Sequence, residues 1–188
     1  MAPRKLLVPA LLLAATVGAA APADRWLHVR VQNTGERKEN VRINIPLALA
    51  EKVLPAIKIN RIQNGKLKMG DHGVSMDPRA LLDAVRSTAD GEFVSVEGDR
   101  ESVRVAKEAG YLLVKVREGP NPEKKKTHNV DVRIPFTVVE ALLSGDRDEL
   151  DILAAVRALS SHGDLTLVTV NNKSETVRIW VDSRNSAD

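Results

Sequence analysis

Cysteine is absent from this 188-residue chain. Its absence excludes disulfides, thiolate nucleophiles, thiolate metal sites and a lipid-bearing cysteine. Aromatic residues are scarce as well, with two Trp, one Tyr and two Phe in the whole chain. Proteins that hold single-stranded nucleic acid use such rings as stacking platforms. We therefore expect no nucleic-acid partner.

A long apolar run is missing too. The most apolar stretch, Leu6 to Val17, is too short to cross a bilayer, which takes about 20 residues. Arg4 and Lys5 precede it and Ala21-Pro22-Ala23 follows it, which is the pattern of a cleaved secretory signal peptide. We predict that residues 1–23 are removed after Ala23. We expect this cleavage to follow export to the periplasm or the cell exterior, and we expect at most peripheral membrane contact.

An excess of one charge is also lacking. Loss of Arg4 and Lys5 with the signal peptide leaves 26 basic and 25 acidic residues. The sharpest basic feature is the triplet Lys124, Lys125 and Lys126, which follows the turn-forming sequence "GPNP". A solvated hairpin tip is the favoured interpretation of this triplet, and contact with an anionic lipid headgroup is the alternative.

Repetition is what the sequence does contain. Four phrases recur in the same order, which indicates an internal duplication. The pairs are "WLHVRV" (26–31) with "YLLVKV" (111–116), "NVRINIP" (40–46) with "NVDVRIP" (129–135), "ALLDAVRS" (80–87) with "DILAAVRA" (151–158), and "VSVEGDRESVRV" (94–105) with "VTVNNKSETVRI" (168–179).

The periods within each phrase predict its secondary structure. Apolar and polar residues alternate in the first, second and fourth phrases, which is typical of antiparallel strands with one dry face. Pro46 and Pro135 each mark a switch from strand to helix, and Gly145 is expected to cap a helix C-terminus. A second helix is predicted from Asp77-Pro78 in one unit and from near Asp148 in the other. The fold class is therefore α+β, with two tandem β-β-α-α-β-β repeats whose helices cover one face of antiparallel sheet.

The predicted organisation has four parts. Residues 1–23 are the signal peptide, 24–109 the first unit, 110–182 the second unit and 183–188 a C-terminal tail. Only the turn Glu108-Ala109-Gly110 separates the two units. We therefore favour one continuous eight-stranded assembly over two independent beads.

The motif set resembles a family of uncharacterised bacterial proteins. Its members combine a hairpin ending in "V-x-I-P" before a helix, a second helix led by an acidic residue, and a closing hairpin like "VSVEGDRESVRV". Over residues 26–182 the chain is also similar to N-terminal modules of envelope-stress-associated bacterial proteins. The resemblance implies no catalytic residues.

Few residues suggest chemistry. Asp71 and His72 lie in the loop "MGDHGVSMD" (69–77), which belongs to an insertion that the second unit lacks. A polar loop leading to a helix cap is the favoured interpretation, and a hydrolytic site is the alternative. His28 and His128 have no second ligand at strand or helix spacing. We expect no metal, no cofactor and no catalytic residue.

Trp26 and Trp180 stand on the first and last predicted strands. They either fill the core or anchor a partner, and the core is favoured. Taken together, these features predict a non-enzymatic module that binds protein or peptide in the bacterial cell envelope, possessing a sheet edge open to strand addition. The oligomeric state is left open.

Overall fold

The computed structural model describes residues 24–35, 38–69, 78–99, 101–119, 128–146 and 148–186. Four α-helices lie within them: α1 Leu47–Val53, α2 Pro78–Ser87, α3 Phe136–Leu142 and α4 Ile152–Ser160. The strands are β1 Trp26–Asn33, β2 Glu39–Pro46, β3 Lys58–Ile59, β4 Ile62–Gln63, β5 Lys66–Lys68, β6 Gly91–Glu97, β7 Glu101–Glu108, β8 Tyr111–Glu118, β9 His128–Pro135, β10 Glu149–Asp151, β11 Leu165–Asn172 and β12 Glu175–Asp182.

Eight strands form a single sheet in the order β2, β1, β12, β11, β9, β8, β7, β6. Every neighbouring pair is antiparallel. The antiparallel sheet and the helices confirm the α+β class. The continuous sheet agrees with the expectation drawn from the short joint, because β7 pairs with β8 across the turn at 109–110.

The order of the strands in the sheet differs from their order in the chain. We call residues 24–109 the first half and residues 110–182 the second half. The four long strands of the second half are adjacent and occupy the middle of the sheet, whereas the two hairpins of the first half flank them on opposite sides. The β1–β2 hairpin reaches its place by pairing β1 with β12 along its whole length, from Trp26 opposite Asp182 to Asn33 opposite Glu175.

Helices α1, α3 and α4 pack on one face of this sheet, as predicted. The core consists of Leu47 in α1, Val138 in α3, Leu159 in α4, and Leu167 and Val181 from the sheet. Apolar residues that alternate along each strand, such as Leu27 and Ile179, complete it. Helix α4 contacts both α1 and α3, so helices that come from different halves share one core.

The prolines mark the switches from strand to helix that the sequence predicts. Pro46 ends β2 and Leu47 begins α1, and the N–H of Leu47 donates to the carbonyl of Arg25 over 2.7 Å. In the second half Phe136 follows Pro135 in the same way, and its N–H donates to Gly110 over 2.7 Å. Each donor is thereby bonded to the residue that precedes the first strand of its half.

Two helix-end predictions are wrong. Helix α4 begins at Ile152 and not near Asp148, because residues 149–151 form β10 and pair with β5. The side chain of Asp151 accepts from the N–H of Ala154 over 2.7 Å and is the actual N-cap. Gly145 is not the C-cap of α3, since that position belongs to Leu143.

A second, small sheet was not predicted. Its order is β10, β5, β4, β3, so the insertion of the first half contributes three short strands and the second half one. Asn64 and Gly65 connect β4 to β5 with φ angles of 53° and 76°, the left-handed conformation of a tight hairpin turn. The predicted cap Asp77 lies outside the described residues. Among those that are described, no helix combines the length and apolar character needed to cross a membrane.

Gly145 provides a test of this fold. A Cβ atom at this position would collide with the backbone carbonyl of Glu149, so we expect Gly145→Ala to lower the free energy of unfolding by about 1–3 kcal/mol. Gly91→Ala is the matched control, because a Cβ there meets nothing within 4 Å. Urea unfolding followed by circular dichroism measures both. Equal stability of the two variants would contradict the packing described around Gly145.

Candidate functional site

Exposed apolar surface is concentrated at the two ends of the eight-stranded sheet. Strands β2 and β6 each have one neighbour in this sheet, so among the described residues each leaves one side of its backbone without a strand partner. Six large hydrophobic residues at these ends are at least 37 % exposed. They are Ile43 in β2, Leu49 and Val53 in α1, and Phe93, Val94 and Val96 in β6. We call the three residues in β2 and α1, together with strand β2, the β2 edge. The three residues in β6, together with that strand, are the β6 edge.

The β2 edge combines a strand with the helix that follows it. Within α1, Leu47 is buried in the core while Leu49 is 53 % exposed. The helix therefore presents apolar residues on two sides, and in the described part of the chain only one of these sides is covered. Ile43 lies opposite Val29 of β1, so it continues the apolar face of the sheet out to its last strand.

The β6 edge is exposed along its whole length. All seven residues of β6 are exposed, and the register of β6 against β7 shifts between Glu92 and Val94. This β-bulge takes up Phe93 as an extra residue. Ile59, in the small sheet, is the one other exposed large hydrophobic among the described residues.

The polar face of the sheet carries opposite charges at the two edges. Arg42, Arg30 and Arg178 lie directly opposite one another on β2, β1 and β12. Repulsion between their like charges disfavours this arrangement. Within the described residues, the Nε atom of Arg30 is buried without a hydrogen-bond partner. On β6, by contrast, Glu92 accepts from Arg104, and this hydrogen bond holds the pKa of Glu92 below its usual value. Glu92 therefore stays ionised.

A buried network fixes the hairpin that carries the β2 edge. His28 of β1 is fully buried, and its Nδ1 lies 2.7 Å from Asn44 Oδ1 while its Nε2 lies 3.1 Å from Asp182 Oδ1. The indole N–H of Trp180 donates to the other carboxylate oxygen over 2.9 Å. The rings of His28 and Trp180 stack with centroids 4.9 Å apart. Strands β2, β1 and β12 are thus joined by side chains as well as by backbone.

The environment of Asp182 has opposing effects on its pKa. Burial of the carboxylate raises the pKa, but hydrogen bonds from the Arg184 N–H, from Trp180 and from His28 lower it, and the net result is a pKa below the ordinary value. The carboxylate therefore remains charged in the folded protein. Because His28 has no exposed surface, this network suits a structural role and not proton exchange with a bound substrate.

The two tryptophans lie on neighbouring strands and not on the edge strands of the sheet. Strands β1 and β12 are neighbours in the interior of the sheet. Trp180 is 7 % exposed, and the guanidinium of Arg178 lies 4.7 Å from its ring centroid. Trp26 is partly buried and stands opposite Asp182. Trp180 is therefore not accessible to a partner, and Trp26 is accessible only in part.

The other predicted site residues lie outside the described residues. These are Asp71 and His72 in the insertion and the basic triplet Lys124, Lys125 and Lys126. The hydrolase alternative built on Asp71 and His72 thus stays a prediction. It requires that His72→Ala abolish a measured turnover while the fold is retained, and unchanged turnover would exclude it.

Other surfaces provide less support for a site. A hollow of about 390 Å³ opens between β8 and β9, but two of its charged residues already have partners. Arg133 stacks 4.0 Å from the ring centroid of Tyr111, and Asp131 accepts from Arg117 over 2.6 Å. No group of three or more His, Asp or Glu side chains that could hold a metal ion occurs among the described residues.

Sequence reasoning did not locate the exposed edges. Alternation predicts that Ile43, Val94 and Val96 face a core, and nothing in the local pattern of β6 separates it from β11. The missing information is the strand order, because the same alternation serves a strand with two neighbours and a strand with one. The partners of His28 were also hidden, since Asn44 is 16 residues away and Asp182 is 154 residues away.

Comparison with known proteins relates the first half of the chain to a protein family. Residues 25–106 match the model of a family described as YvlB-like protein, C-terminal domain. This match supports the expected resemblance to an uncharacterised bacterial family, although it concerns a C-terminal domain and covers β1 to β7, not residues 26–182. No curated protein and no solved structure gives a significant match.

The buried network predicts a pH-dependent stability. Because the folded-state pKa of Asp182 lies below its unfolded value, the stabilisation by its carboxylate is present above about pH 4 and is lost as the pH falls through the folded value. We expect Asp182→Asn to lower the free energy of unfolding by about 1–3 kcal/mol at pH 7, with a smaller difference from the native chain at pH 3.

Urea unfolding at both pH values measures this difference. Asp164→Asn is the matched control, because Asp164 is 64 % exposed and pairs only with Arg25 among the ion pairs of the described residues. Its removal is expected to cost less than about 1 kcal/mol. A difference between Asp182→Asn and the native chain that is the same at pH 7 and pH 3 would contradict the assignment.

Proposed function

We propose that this protein is an exported, non-enzymatic module of the bacterial cell envelope that binds protein or peptide by strand addition. The observation that carries the proposal is the concentration of exposed hydrophobic residues at the β2 edge and the β6 edge. An edge strand offers a row of backbone donors and acceptors, which gives a partner strand its affinity. The side chains beside the edge give it specificity.

The length and composition of the edges favour binding over simple exposure to water. Edge strands of soluble proteins are commonly short or protected by charges and prolines. β2 has eight residues and β6 has seven, with Pro46 at the end of β2 as the one proline in either strand. Large apolar side chains next to an open backbone edge are typical of a surface that another strand covers.

Export is part of the proposal. It is supported by Arg4 and Lys5 before the apolar stretch and by Ala21-Pro22-Ala23 after it. All of these residues lie outside the described part of the chain. Processing after Ala23 would leave Asp24, two residues ahead of β1, at the new N-terminus.

We also propose that the chain arose by duplication of a β-β-α-α-β-β module. The recurring phrases support this, as do the parallel hydrogen bonds of Leu47 and Phe136 to the residue before each first strand. We further propose that the chain is related to the N-terminal modules of envelope-stress-associated bacterial proteins.

Position-specific crosslinking in living cells tests strand addition at the edges. A photo-reactive amino acid replaces Ile43 in one variant and Val94 in a second, and Ile59 is the control because it is exposed but belongs to the small sheet. We expect discrete crosslinked products from positions 43 and 94 and none from position 59. Equal or absent products at all three positions would contradict the proposal.

The basic triplet is tested in the same experiment. A variant with Lys124, Lys125 and Lys126 replaced by Glu is expected to retain the crosslinked products. The lysines lie in the sequence between β8 and β9, whereas the two edges are formed by β2, α1 and β6. Loss of the products in that variant would move the binding site from the edges to the triplet.

A further inference from the structure

The two free edges correspond to strands that pair with each other elsewhere in the same molecule. By the recurring phrases, β2 is the counterpart of β9 and β6 is the counterpart of β11. In the second half β9 pairs with β11 in the middle of the sheet. In the first half β2 and β6 lie at opposite ends of the sheet. The first half therefore contains the counterparts of both strands of the β9–β11 pair, but these two counterparts do not pair with each other.

The equivalent strands β11 and β6 share a bulge, which in each case lies in the pairing with the next strand of the chain. β11 has a bulge between Thr166 and Val168, and β6 has one between Glu92 and Val94. The extra residue is Leu167 in the first case and Phe93 in the second. Leu167 is 9 % exposed in the core, whereas Phe93 is 37 % exposed at the β6 edge.

The helices show the same contrast. Leu49 of α1 is the counterpart of Val138 of α3, since each is the third residue after the Ile-Pro phrase. Val138 is 8 % exposed and Leu49 is 53 % exposed. In the second half α3 packs against α4, which accounts for the burial of Val138. Leu49 and Val53 are exposed where the equivalent helix contact would form.

We infer that β2 of one copy of this chain pairs with β6 of a second copy, in the register that β9 and β11 use. This inference rests on the proposed function and names the partner as the protein itself. Val132 lies opposite Val168 and Val130 opposite Val170 within the molecule. The equivalent pairs between copies are Ile43 with Val94 and Val41 with Val96.

This pairing covers the exposed residues of both edges at once. Ile43 and Val94 become a cross-strand pair on the face that carries the helices, where such pairs stabilise a sheet. The bulge residue Phe93 then takes the position beside the core that Leu167 occupies. Helix α1, with Leu49 and Val53, comes next to α2 of the second copy, as α3 lies next to α4.

The charges on the opposite face favour this pairing over that of two identical edges. In the proposed register Arg42 lies opposite Ser95, since their counterparts Asp131 and Thr169 are opposite each other. Glu97, two residues beyond Ser95 on the same face, is a diagonal neighbour within reach of Arg42. Pairing β2 with a second β2 would instead bring two arginine rows together.

A contact between different edges repeats, because two bound copies together still have one free β2 edge and one free β6 edge. Such head-to-tail contacts produce rings when the rotation closes and filaments when it does not. The native protein is therefore expected to form species larger than a dimer at high concentration.

Mixing two blocked variants tests the inference. Ile43→Lys places a charge at the β2 edge and leaves the β6 edge intact, and Val94→Lys does the reverse. The protein is purified after any processing of its N-terminus by the cell, and mass is measured by sedimentation. Each variant alone is expected to be monomeric, and an equimolar mixture is expected to give a heterodimer of doubled mass and nothing larger. Ile59→Lys is the control and should assemble like the native chain.

Three results would overturn the inference. They are a monomeric native protein, an assembly that survives either edge substitution, and blocked variants that do not combine when mixed. Circular dichroism of each variant verifies that it is folded. If the native protein is monomeric while positions 43 and 94 still crosslink to a different protein in cells, the self-pairing is wrong and the proposed function stands. Absence of both assembly and crosslinks would refute the two together.

Discussion

The pairing of β1 with β12 determines the arrangement of the rest of the structure. It carries the N-terminal hairpin across the molecule to the last strand and places the second half in the middle of the sheet. The hydrogen bonds among His28, Asn44, Asp182 and Trp180 add side-chain contacts to the backbone ladder. Burying these polar groups is favourable only because they are bonded to one another. One consequence is that β2 and β6, whose counterparts β9 and β11 are neighbours, lie at opposite ends of the sheet.

An open sheet with two apolar ends explains several features together. The helix α1 has one buried side and one exposed side, β6 is exposed throughout, and the exposed hydrophobic residues lie almost entirely at these ends. A closed barrel would have no edges, whereas the bulge of β6 and Pro46 of β2 leave the apolar residues of these two edges exposed. Both ends are apolar, and the pairing of β9 with β11 is the precedent within the molecule for the proposed pairing of β2 with β6.

Local sequence patterns were sufficient for most of the secondary structure. The alternation of Val41, Ile43 and Ile45 predicts β2, and the Ile-Pro phrases correctly place the starts of α1 and α3. Non-local contacts account for the errors. Leu150 has helical spacing with Leu153, but it pairs with Leu67 of β5 and so belongs to β10. Helix α4 therefore begins later in the chain, at Ile152. The two- and three-residue strands of the insertion are too short to show a period. Strand order, and with it the site, depends on pairings between residues as far apart as Trp26 and Asp182.

Hydrogen exchange of the native protein at increasing concentration would test the central claim most directly. Amides on the open sides of β2 and β6 should exchange slowly at high concentration and fast at low concentration, with the same concentration dependence at both edges. Amides of β1 and β12, which already have two neighbours, should be slow throughout. Exchange at β2 and β6 that does not change with concentration, or protection of one edge without the other, would contradict the pairing of these two edges between copies.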